Sequence, residues 1–162
     1  MPSTLLPLTR RDPERALHDT LSKNVVFHSP VRDYYGRADV AHILMTIGDV
    51  LDEIEPQGEL VGENQVVTVI TARRAHARMS GVLLETCDTR GRVEHATLLL
   101  RPLSALLEAL TAMRAALERS PLPTAADSTD VNQADPEDDL STAPEGAELN
   151  GASHADWFPE RR

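Results

Sequence analysis

The 162-residue chain contains one cysteine, Cys87, one tryptophan, two tyrosines and two phenylalanines. A single cysteine excludes an intrachain disulfide and any cysteine-based zinc cluster. No apolar run approaches the roughly 20 residues that a membrane-spanning helix needs, so no membrane partner is expected. Residues 1–15 carry no apolar core of a secretory signal, and a cytoplasmic protein is the expectation. The formal charge of −10 argues against non-specific nucleic-acid binding.

That charge is unevenly placed. Residues 120–162 hold ten acids against the two bases Arg161 and Arg162, a net −8, whereas residues 1–119 hold 16 acids and 14 bases, a net −2. Composition breaks at the same point. Ser120-Pro121-Leu122-Pro123 stops a helical pattern, and Ala, Asp, Ser, Thr, Pro and Glu dominate after it. Such a segment buries too little apolar surface to offset the entropy of ordering it. The expected organisation is a folded domain over 1–119 and a disordered acidic tail over 120–162. The tail ends with the aromatic pair Trp157-Phe158 among acids, a short anchor for a possible protein partner.

Within the first 119 residues, Asp12-Pro13-Glu14 starts a short helix with Leu17 and Leu21 on one stripe. The β-branched and aromatic run over 24–29 reads as a strand stopped by Pro30, followed by a loop with Tyr34, Tyr35 and Gly36. Val40, Ile43, Leu44, Ile47, Val50 and Leu51 recur at helical spacing over 38–51, and Pro56 prevents continuation. A weak strand over 59–61, a strong one over 65–72 and another over 77–87 follow, with Gly81 a candidate bulge. Asp88-Thr89-Arg90-Gly91 reads as a hairpin turn into a strand over 92–101. Pro102 opens a helix whose Leu103, Leu106, Leu107, Leu110, Met113 and Leu117 form an apolar stripe. Short turns between strands predict an α+β domain with a mainly antiparallel sheet and helices on one face.

Two strands are apolar on both faces: Val67 and Val69 oppose Val66 and Ile70, and Leu98, Leu99 and Leu100 follow one another. A sheet with one wet face alternates. A homodimer through the sheet is therefore expected.

Residues with chemistry are few. The six histidines make no metal-binding spacing, so neither a metal nor a cofactor is expected. No P-loop, dinucleotide fingerprint or nucleophile elbow occurs. Asp52, Glu53 and Glu55 read as a solvated helix end, and Cys87 as a packed thiol.

The segment NVVFHSPVRDYYGRADVAHIL (24–44) resembles the first strand, loop and long helix of SnoaL-like proteins, which belong to the nuclear transport factor 2-like superfamily. CDTRGRVEHATLLLRPLSALLEAL (87–110) resembles that family's last hairpin and C-terminal stretch. The resemblance spans about residues 10–118. It implies a curved sheet wrapped around helices, a cone-shaped α+β barrel with an apolar pocket. It also implies where catalytic acids would stand. The base of ketosteroid isomerase precedes the proline that ends the first strand, and here that position is Ser29. An acid common in SnoaL-like proteins falls at Leu83, and no tyrosine occupies the first helix. Neither acid is present.

The resulting expectation is a small-ligand-binding or dimerisation domain with an apolar pocket that lacks the superfamily's catalytic acids. Its pocket would be lined by Phe27, Ser29, Leu44 and Ile47, together with Met79, Leu83, Thr97 and Leu99. Ser29 and Thr97 would orient a small hydrophobic ligand. The rival is a small-molecule isomerase, cyclase or hydrolase using Glu85 as acid or base with His28 or His95, although Glu85 beside a hairpin reads as solvated. A third reading is a dimerising scaffold whose pocket is collapsed by Met79 and Phe27.

Overall fold

The structure is a computed structural model that describes residues 4–5 and 12–127. These lie within one of two compact units, residues 1–132, the other being 133–162.

Asp12 caps helix α1 (Pro13–Thr20), its carboxylate accepting the Arg15 N–H at 3.2 Å. The chain enters β1 (Leu21–His28) directly, so Leu21 is a strand residue rather than a helical one; it and Leu17 are both fully buried. A three-residue strand β2 (Asp33–Tyr35) forms inside the expected tyrosine loop and pairs back on β1. Gly36, at φ +81°, then turns the chain into α2 (Arg37–Val50), a conformation that side-chain-bearing residues rarely adopt.

β3 (Asp52–Val61) is far longer than the three residues expected, and Pro56 lies within it rather than merely ending a helix. Proline is tolerated there because β3 is an edge strand, where its missing N–H breaks no ladder. β4 (Gln65–Arg74), β5 (Ala77–Cys87) and β6 (Val93–Arg101) complete a six-stranded sheet of order β2-β1-β6-β5-β4-β3. Every pairing is antiparallel except β1 with β6. The fold is the expected α+β arrangement with a curved, mainly antiparallel sheet.

The turn between β5 and β6 is built by Asp88. Its carboxylate accepts the Arg90 and Arg92 amides at 2.8 and 2.9 Å and the Arg92 guanidinium at 3.1 Å, while Gly91 supplies φ +74°. The Arg92 amide first, and then the Arg90 amide and the Arg92 side chain, hold the Asp88 carboxyl below the ordinary carboxylate range.

Helix α3 (Leu103–Arg119) departs from expectation in the face it buries. Ala105 and Ala109 are its buried residues, packed with Ala72, Met79, Val50 and Leu51, whereas Leu103 and Leu107 are 67% and 54% exposed. Small residues let the helix approach the sheet closely, and its leucines are turned aside. The chain breaks at Ser120 and then forms α4 (Pro123–Asp127), where the Thr124 amide and hydroxyl donate to the buried Asp39 at the start of α2. The rest of the expected acidic tail, with Trp157 and Phe158, lies outside the described residues. No described helix is long and apolar enough to cross a membrane.

Gly81 is not a bulge: its ladder is regular, Ile70 and Leu100 being its direct neighbours. Its role is close approach. A Cβ there would collide with the Leu99 carbonyl oxygen and come within 2.8 Å of Leu100 Cδ2. Gly81→Ala is expected to cost about 3 kcal/mol, as overpacking against backbone does, measured as a shift in the urea midpoint with the slope unchanged.

Candidate functional site

A groove of about 720 Å³, partly open to solvent, lies among the described residues. Its floor comes from Ile43 and Ile47 of α2 with Leu51 just past the helix end, and its flank from Leu98 and Leu100 of β6. Leu106, Leu107, Leu110, Met113 and Leu117 of α3 form the opposite wall. Most of the apolar stripe read from the sequence thus lines this groove, with Met113 and Leu117 also touching the core and Leu103 outside the groove. Arg32, Arg114, Thr111 and Glu118 provide its main polar groups.

The β1–β2 loop closes one end. Ser29 shapes this loop: its hydroxyl donates to the Arg32 carbonyl at 2.8 Å and accepts the Arg32 and Val31 amides at 3.2 and 3.3 Å. The hydroxyl is thus turned onto its own loop. Arg32 lies 4.6 Å over the Tyr34 ring, which stacks on Phe27 with centroids 6.2 Å apart.

Of the eight residues expected to line a pocket, Ser29 and Ile47 reach this groove. Phe27, Leu44 and Leu83, with Ile47 again, surround a second, deep cavity of only about 20 Å³. Met79 is packed in the core beneath α3. Thr97 and Leu99 point away, Leu99 being 61% exposed on the outer face. The reason is one residue of register. Cys87 pairs with Val93, but Thr86 pairs with His95, so a bulge shifts β6 by one position. A regular hairpin continuing the Cys87–Val93 pair would set Thr97 against Leu83; the bulge sets Leu98 there and turns Thr97 and Leu99 outward.

Glu85 is also placed unexpectedly. It is fully buried, not solvated, and its Oε1 accepts the Thr4 backbone N–H at 2.7 Å. The acid–base pair imagined for it does not form. Glu85 is paired with Ala96 on the inner face, whereas His95 pairs with Thr86 on the outer one. His28 joins His95 there, the two rings being parallel at 6.5 Å, and its Nδ1 lies 2.8 Å from Asp33 Oδ1. Asp52, Glu53 and Glu55 are exposed, Glu53 pairing with Arg73 at 3.3 Å.

Cys87 is buried at the inner end of β5. Burial first, and then the charges of Glu85 and Asp88, push its thiol above the ordinary value. Because the thiolate is the reactive form, Cys87 in the native chain is expected to react with iodoacetamide at pH 8 at least tenfold slower than in urea. Equal rates in the two conditions would refute that burial.

No family model matches the sequence, and no curated protein matches it significantly. Solved structures do. A steroid delta-isomerase from Pseudomonas aeruginosa is 27% identical with a TM-score of 0.66, over 72% of this chain and 90% of its own. An uncharacterised bacterial protein with a cystatin-like fold from Silicibacter pomeroyi is 22% identical with a TM-score of 0.64, over 66% of this chain and 77% of its own. A SnoaL-like family protein from Agrobacterium tumefaciens is 12% identical with a TM-score of 0.50, over 61% of this chain and 92% of its own.

Proposed function

This chain has the fold of SnoaL-like proteins of the nuclear transport factor 2-like superfamily, and from that premise we propose that it binds a small apolar ligand in the α2–α3 groove. The observation that carries this reading is the stripe of α3 leucines. Leu106, Leu107 and Leu110 of one helix face a 720 Å³ space, and Met113 and Leu117 line it while also packing against the core. Aliphatic walls around a few polar groups are the usual make-up of a small-molecule site. Arg32 and Arg114, which form no ion pair among the described residues, supply the polar end. Ser29, committed to its loop, does not.

The positions where the superfamily resemblance expects acids carry Ser29 and Leu83. A serine hydroxyl is no general base at neutral pH without a base beside it. The steroid isomerase likeness therefore supports a shared pocket architecture more than a shared reaction. The catalytic alternative, with Glu85 and a histidine, is opposed by their separation on two faces of the sheet.

Two expectations follow. Leu110→Arg, at the middle of the α3 wall, is expected to weaken Nile red binding at least tenfold with little change in melting temperature. Unchanged binding by a folded variant would sink the groove reading. The second concerns assembly. The outer sheet face exposes Leu99 and Val69, with Val82 and Leu84 half-buried beside them, and no described helix covers it. We propose that a second copy covers this face. Leu99→Asp is expected to turn a dimer into a monomer in sedimentation equilibrium; a native chain that is already monomeric at 50 micromolar or so would exclude the dimer.

A further inference from the structure

We infer that Glu85 and Thr68 form the polar end of a second, deep ligand site, occupied in this structure by the chain's own Thr4 and Leu5. The ligand class is an apolar molecule ending in a hydroxyl. Three independent observations support it.

The first is Glu85 itself. A carboxyl group wholly removed from water is costly unless hydrogen-bonded. It sits on the inner face of β5 beside Leu83, where neighbours are apolar, and its Oε1 takes its 2.7 Å hydrogen bond from a main-chain amide 81 residues away. A backbone N–H carries no side-chain identity. Any donor of similar reach, held by an apolar body, satisfies the same oxygen.

The second is Thr68. Its side chain is fully buried on the inner face of β4, and its Oγ1 has no hydrogen-bond partner among the described residues. Thr68 pairs directly with Leu83, so it is the diagonal cross-strand neighbour of Glu85 on one face. Buried hydroxyls without partners are rare in native proteins. A hydroxyl-bearing ligand offers one atom that donates to Glu85 and accepts from Thr68. The Thr4 amide donates only, and leaves Thr68 unsatisfied.

The third is the space. Thr4 and Leu5 line the deep cavity with Phe27, Leu44, Ile70 and Leu83, and leave about 20 Å³ beside them. That admits one water at most. Removing the two residues enlarges the cavity on the side of Glu85. Ile47, Leu51, Leu98 and Leu100 border both this cavity and the outer groove, so the vacated space adjoins an existing opening. The inference does not depend on the groove having its own ligand.

The test is fluorescence titration of the full-length chain with 2-naphthol, and with 2-methoxynaphthalene, which has no donor. Thr4→Pro deletes the competing N–H. This variant is expected to bind 2-naphthol at least tenfold tighter than the native chain and to prefer it to the methoxy compound about tenfold. Adding Glu85→Leu should abolish the preference, and adding Thr68→Val should reduce it severalfold. Equal affinity of the native and Thr4→Pro chains for 2-naphthol overturns the inference, as does a preference that survives Glu85→Leu. Should Thr4→Pro lose cooperative melting, Leu5→Ala replaces it, with a threefold gain expected and no gain overturning the proposal.

Discussion

The bulge between Thr86 and Cys87 decides which side chains of the sheet see the interior. Strand side chains alternate with period two, so one added residue exchanges the two faces of everything beyond it. On β6 it sends Ala96, Leu98 and Leu100 inward against the helices and His95, Thr97 and Leu99 outward. The Asp88 turn holds this register with four hydrogen bonds to one carboxylate and a glycine at positive φ. His95 leaves the interior by this slip, whereas His28, which pairs with Thr97, faces out by alternation with the buried Phe27 on its own strand. The absence of a histidine beside Glu85 is thus a consequence of register.

A second constraint acts through α3. Its alanines at 105 and 109 pack against Met79 and Ala72, and close helix–sheet approach requires small side chains there. The leucines then have no place beneath the helix. Left wet, each forfeits part of the roughly 1.5–3 kcal/mol that full burial of such a side chain supplies. A helix that needed only to be stable would present leucine to the core and alanine to water. This one does the reverse over two turns, which is the arrangement expected where apolar surface is kept for a ligand.

Much of the fold was legible in the sequence, because period and punctuation are local. Asp12-Pro13 capped the first helix, Gly36 entered the second, and Asp88 to Gly91 turned the last hairpin, each at the position expected. What was not legible is non-local. The length of β3 comes from its pairing with β4, which overrides the weak strand preference around Pro56 and Gly58. The inner face of β6 depends on a bulge that no residue type announces. Ser29 and Ile47 reached the groove because a strand end and a helix stripe place them, while Thr97 and Leu99 were assigned by alternation alone and took the wrong phase. The α3 wall was visible as a stripe, but its destination was not, since alanine and leucine faces are both apolar.

Glu85 shows how these constraints meet. Its inward direction follows from simple alternation with Leu83 and Cys87, all three being buried. What alternation does not supply is the partner. Near the hairpin end of β5 a carboxylate is normally reached by water, but here Thr4 covers it and is itself fully buried. A buried hydrogen bond to a carboxylate is strong, yet it replaces bonds to water that the same oxygen makes when exposed. An apolar residue at 85 would fill the place without that desolvation, so stability alone does not account for glutamate. The oxygen that binds a main-chain amide from the N-terminal segment is equally suited to bind a donor from another molecule, and the unsatisfied Thr68 hydroxyl on the same face marks where that molecule's polar atom belongs.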